Sequence, residues 1–139
     1  NNAGPGNGGT GPKGPHGSTN WRLLERPYAT ADNTTESSTN YALCYKCHSR
    51  TSILGNQSFR GHGPHVADTQ ASCATCHDAH GISSTQGTLT NNLRLINFDK
   101  RWVTSVTVAG VQRLEYAVVA GRQTCYLTCH GKIHDPLSY

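Results

Sequence analysis

Three short stretches bring together residue types that do chemistry in combination: Cys44-Tyr45-Lys46-Cys47-His48, Cys73-Ala74-Thr75-Cys76-His77 and Cys125-Tyr126-Leu127-Thr128-Cys129-His130. In each, two thiols stand close in sequence and an imidazole follows at once. C-x-x-C-H is the attachment signature of c-type haem. Two thiols about one helical turn apart add to the two vinyl groups of one porphyrin, and the next residue projects its imidazole onto the iron as proximal ligand. The pattern assigns Cys44, Cys47, Cys73, Cys76, Cys125 and Cys129 to covalent attachment of three haem c groups, and His48, His77 and His130 to their irons. C-x-x-C also clamps structural zinc. With eight His in 139 residues, however, three adjacent His arise by chance only about once in several thousand trials. The third motif has one extra residue between its thiols, a less common attachment variant.

Each iron accepts a sixth ligand on its other face. The chain contains no Met, so His/Met ligation from within it is excluded and His is the natural sixth ligand. Five His remain for three vacancies: His16, His62, His65, His80 and His134. His80 and His134 follow their own proximal His by a few residues only, too short a segment to wrap the porphyrin. Each is expected to serve a different haem, His80 most simply the first. His62 and His65 precede the second attachment site and can reach its distal face. His65 is the preferred ligand of the two, and a surface or propionate-contacting role is the alternative for either. His134 stands open between ligand and hydrogen-bonded surface residue. His16 sits in a stretch, residues 1–20, with seven Gly and three Pro, a composition that forms neither helix nor core by itself. Its reach makes a haem of another subunit attainable.

The elements that must position these residues are sparse. The length allows about one domain, divided into a flexible Gly/Pro-rich tail over 1–20 and a single trihaem domain over 21–139. Only 35% of the residues are apolar, so the haems are expected to supply much of the core. No apolar run approaches the roughly 18 residues of a membrane span. The first residues read as a mature N-terminus after signal-peptide removal, placing the protein outside the cytoplasm. The net charge of +4 contains no basic block, which argues against a nucleic-acid partner.

A helix is predicted from about Ser38 to Leu54, ended by Gly55, with the first motif inside it. Short helices are predicted over Cys73–His77 and Cys125–His130. The segment from Ala29 to Thr39 is polar and reads as a surface loop. Trp102–Val108 and Arg113–Val119 read as a β-hairpin around Ala109-Gly110-Val111-Gln112. The expected fold is a mostly irregular small multihaem cytochrome, with short α-helices carrying the haem motifs, one β-hairpin, and haems as the core.

Gly14-Pro15-His16-Gly17-Ser18, the run Tyr41-Ala42-Leu43-Cys44-Tyr45-Lys46-Cys47-His48, Cys73-Ala74-Thr75-Cys76-His77-Asp78-Ala79-His80-Gly81-Ile82-Ser83-Ser84 and Cys129-His130-Gly131-Lys132 together resemble secreted bacterial multihaem c-type cytochromes, including filament-forming extracellular ones. In that family a D-P-H-G sequence after the attachment motif commonly supplies a distal His. The resemblance supports His80, although Ala79 stands where Pro is usual, and His16 as donor to a haem elsewhere. It implies extracellular electron transfer through bis-His haems, in a homopolymer whose subunits exchange a haem-ligating His. Other redox proteins or extracellular acceptors are the expected partners, and no catalysis is expected. A soluble electron carrier is the alternative; a multihaem reductase would need an iron position that the surplus His tend to block.

Overall fold

The computed structural model describes residue 20 and residues 24–82 and 93–139. His16 and nearly all of the expected tail lie outside the described residues.

Residues 24–82 form short helical turns joined by loops. The predicted helix from Ser38 to Leu54 is two helices, α1 (Ala42–Tyr45) and α2 (Arg50–Leu54). The break lies at Ser49, whose backbone is extended (φ −69°, ψ 112°) and whose side chain accepts from the Ser52 N–H, so that α2 starts afresh with its own cap. Gly55 closes α2. Cys47 and His48 fall in the turn between, their N–H groups both donating to the Cys44 carbonyl at 3.2 and 3.0 Å. A six-residue π-helix follows at Gly63–Asp68, with Pro64 in its first turn, where a missing N–H leaves nothing unpaired. Helix α3 (Cys73–Cys76) carries the second motif, and His77 leaves it in an extended conformation (φ −109°, ψ 135°).

The remainder is β-structure: β1 (Val103–Thr104), β2 (Val106–Val108), β3 (Val111–Arg113), β4 (Glu115–Val119), β5 (Arg122–Cys129) and β6 (Lys132–Ser138). The predicted single hairpin is divided. β2 pairs β3 around Ala109-Gly110, while β4 pairs β5. Three X-Gly dipeptides set this division: Ala109-Gly110, Ala120-Gly121 and His130-Gly131 all have positive φ at both residues. That is the backbone of the two-residue turn whose twist matches antiparallel strands.

Strand β5 is central, with β6 along one edge and β4 then β1 along the other. The helix predicted over Cys125–His130 is accordingly the second half of β5 and its following turn. Pairing on both edges, and the alternation of Cys125, Leu127 and Cys129 with Thr124, Tyr126 and Thr128, outweigh the helical precedent of the other two motifs. Pro136 is accommodated because β6 is an edge strand and its register shifts opposite Tyr126.

Both faces of β5 are covered. One face joins Cys125 and Leu127 to Val103 and Tyr116, with Ile96, Phe98 and Tyr139 packed against them. The other joins Tyr126 to Val106 and Ala117, with the Arg113 guanidinium 3.4 Å above the Tyr126 ring. The first face looks toward the helical segment.

Candidate haem site between the helical segment and the sheet

Between that face and the helical segment lies an apolar cavity of about 110 Å³. Cys125, Leu127 and Cys129 of β5 and His134 of β6 line one side; Cys73, Cys76 and His77 line the other, beside His62 and His65. Protein interiors normally leave few voids larger than a water molecule, so an apolar space of this size beside two Cys pairs is a feature of the site. The hydroxyl of Tyr116, in the same wall, is buried with no hydrogen-bond partner among the described residues. A buried polar atom of this kind is ordinarily paired.

The imidazoles of His62 and His77 face each other with ring centroids 6.4 Å apart. Two imidazoles bound to opposite faces of one iron, with metal–nitrogen bonds near 2.0 Å, hold their ring centres about 6 Å apart. Both rings are anchored through Nδ1. His77 Nδ1 donates to the Arg94 carbonyl at 2.9 Å, and His62 Nδ1 lies 3.4 Å from Ser58 Oγ. For His77 the donor bond from Nδ1 to a carbonyl fixes the tautomer that presents a lone pair at Nε2, the arrangement of metal-ligating His, whereas the Ser58 hydroxyl can either accept from or donate to His62 Nδ1. Burial, then the neighbouring His77, pushes His62 down to about 4. Burial also lowers His77, so both rings are neutral near pH 7. The residues of the second motif fit haem: a helical turn places Cys73 and Cys76, His77 projects from its end, and an apolar space lies alongside.

His65 lies in the same cavity, but its closest imidazole is His134, at 6.1 Å between centroids. Phe59 organises this corner, stacking on His65 and meeting His62 and Tyr139 edge-on. Gly61 is required for that packing: a Cβ there would stand 2.7 Å from the Phe59 ring and 3.0 Å from His65 Nδ1. His80 is 89% exposed, beside Asp78, on a polar cleft whose wall includes His77. Among the described residues, no three or more His, Cys, Asp or Glu side chains converge as a metal-binding group.

The other two motifs differ from the second. Cys44 and Cys47 share a helical turn with His48 following, and the Cys44 thiol lies close to that of Cys73, a proximity that pulls Cys44 down to about 7 and pushes Cys73 up. The first two attachment sites are therefore side by side, although His48 itself is exposed. In the third motif, Cys125 and Cys129 point to the cavity from one face of a strand. Four residues of strand span about 13 Å, against one helical turn in the other motifs, so the pair does not fit porphyrin attachment as it stands. His130 is turned away, its Nε2 2.7 Å from Asp32 Oδ2.

Tyr139, Phe59, Gly61, Asp32 and the Arg94 carbonyl carry no signal in the sequence that links them to a haem motif. They come to the site through long-range contacts. Comparison with protein-family models, curated proteins and solved structures returns no match.

Proposed function

We propose that this chain is an electron-transfer protein with covalently attached c-type haem, the haem of the second motif lying in the apolar cavity between His77 and His62. One observation carries the reading: two neutral imidazoles face each other 6.4 Å apart over an apolar space whose wall holds both thiols of a C-x-x-C-H motif. When bound, haem supplies a reversible one-electron iron couple. Cys73 and Cys76 would tether it, His77 and His62 would ligate its iron, and the Arg94 carbonyl and Ser58 would hold those rings in place. An iron ligated by two protein imidazoles would favour electron transfer over reduction of a bound molecule. The proximity of the Cys44 thiol to that of Cys73 supports neighbouring positions for the first two motifs, as a relay requires.

The same proposal assigns haem c to the first motif as well, leaves the third motif without one in the strand geometry described above, and, with His16 donated between subunits, gives extracellular electron transfer as a homopolymer. A spectral titration tests the core of it. The purified protein is expected to give a haem c pyridine haemochrome, a peptide carrying haem on Cys73 and Cys76 by mass spectrometry, and a low-spin spectrum unchanged by CO. A Cys73–His77 peptide without haem overturns it. Electron microscopy tests the polymer: filaments lost on His16→Ala support it, and a monodisperse monomer refutes it.

A further inference from the structure

Four imidazoles line the cavity, and hydrogen bonding decides which nitrogen each has free. His77 and His62 are held at Nδ1, leaving Nε2 without a partner among the described residues. His65 is also held at Nδ1, which donates to the Gly61 carbonyl at 2.5 Å, but its Nε2 meets the Tyr139 hydroxyl at 3.3 Å. The same hydroxyl lies 3.5 Å from His134 Nδ1. A hydroxyl has one proton to give. Because the His65 ring proton is at Nδ1, its Nε2 is an acceptor and Tyr139 O–H donates to it. The Tyr139 oxygen then accepts from His134 Nδ1–H, at the longer distance expected of the weaker bond. Tyr139 is seated for this role: it packs on the core face of β5, its N–H donates to the Gln123 carbonyl at 2.8 Å, and Phe59 stands against its ring at 4.9 Å between centroids.

We infer that Tyr139 is a positioning residue that selects the distal ligand from among surplus histidines: its hydroxyl caps Nε2 of His65 and keeps that imidazole off the iron, so that His62 takes the position opposite His77. The inference rests on the haem assignment to the cavity. It explains how a site with His62 and His65 three residues apart settles on one ligand.

The test uses the haem-loaded protein and CO uptake as its readout. In His62→Ala, His65 remains capped, so one haem is expected to become high-spin and to bind CO in the ferrous state. Adding Tyr139→Phe removes the hydroxyl but keeps the ring, releasing His65 to fill the position. The double variant is expected to return to a low-spin spectrum and lose CO binding. Adding His65→Ala to that pair is expected to restore CO binding, which identifies the rescuing ligand. A His62→Ala protein that stays low-spin and CO-inert overturns the inference, and so does a double variant that still binds CO. Pyridine haemochrome quantitation on every variant shows that haem is retained. Absence of haem from the Cys73–His77 peptide of the unsubstituted protein would instead overturn the haem assignment, so the two failures are distinguishable.

Discussion

The second and third attachment motifs have nearly the same residues and opposite settings. Cys73 and Cys76 lie on one turn of α3, with His77 aimed at the cavity and its Nδ1 bound to a backbone carbonyl. Cys125 and Cys129 lie along one face of β5, hydrogen-bonded to neighbours on both edges, and His130 forms the turn beyond, hydrogen-bonded to Asp32. The difference teaches that two thiols and an imidazole are not yet a haem site. Backbone geometry sets the distance between the thiols, and the partner of the imidazole sets whether a lone pair is free. The cavity itself belongs to both motifs, since the two Cys pairs line opposite walls.

Removing each Cys pair gives the largest expected effect. Cys73→Ala with Cys76→Ala should abolish haem at the second site and leave the apolar cavity unfilled. The loss of thermal stability should amount to several kcal/mol, of the order measured for large core deletions. Cys125→Ala with Cys129→Ala should spare the cavity's low-spin haem spectrum and keep the sheet, so thermal melts and far-ultraviolet circular dichroism should separate the two variants. Equal losses in both would erase the contrast.

Next in size is Gly61→Ala. Its Cβ would press on Phe59 and His65, an overpacking worth about 1–3 kcal/mol, and would disturb the cavity imidazoles without touching β5. A denaturant midpoint together with the haem spectrum reads both effects. Asp32→Ala should act on the third motif: it removes the acceptor of an exposed His130, about 0.5–1.5 kcal/mol for one net hydrogen bond. An Asp32→Ala protein as stable as the parent would indicate that His130 is not bound to Asp32, and would bring the third motif closer to the second.

Gly131→Ala is smaller again. Gly131 has φ of +73° with open space around it, so the change should cost about 1–2 kcal/mol through left-handed backbone strain and weaken the β5–β6 turn, read by amide exchange in those strands. The smallest effect is electrostatic. Glu36 is held below the ordinary carboxylate value by its hydrogen bond to Arg50 and further by Tyr45. A lowered folded-state pKa stabilises the fold above the unfolded value near 4.5, and that contribution is lost as pH falls through the folded value. Glu36→Gln should therefore flatten the acid side of the stability profile near the first motif and leave the cavity spectrum unchanged.

The helical turn at Cys73–Cys76 and the end of α2 at Gly55 were readable because they depend on local spacing and capping. Strand β5 has only a partial local signal: Ala120-Gly121 and His130-Gly131 bracket it as turns, but its burial runs unbroken over Thr124, Cys125, Tyr126 and Leu127, and a C-x-x-x-C-H pattern does not itself separate strand from helix. The broken helix at Ser49 turned on one capping hydroxyl that competes with helix continuation, which no periodicity reports.

What the sequence determined by itself is the chemistry available: three thiol pairs each followed by an imidazole, no Met, and five further His, because residue type and near-neighbour spacing are covalent facts. What only the tertiary structure decided is which of those imidazoles meet. His62 comes opposite His77, Tyr139 reaches His65 across 74 residues, and Asp32 reaches His130 across 98. Such pairings follow from how strands and turns pack in space, and a lone pair is free or capped only once that packing is complete.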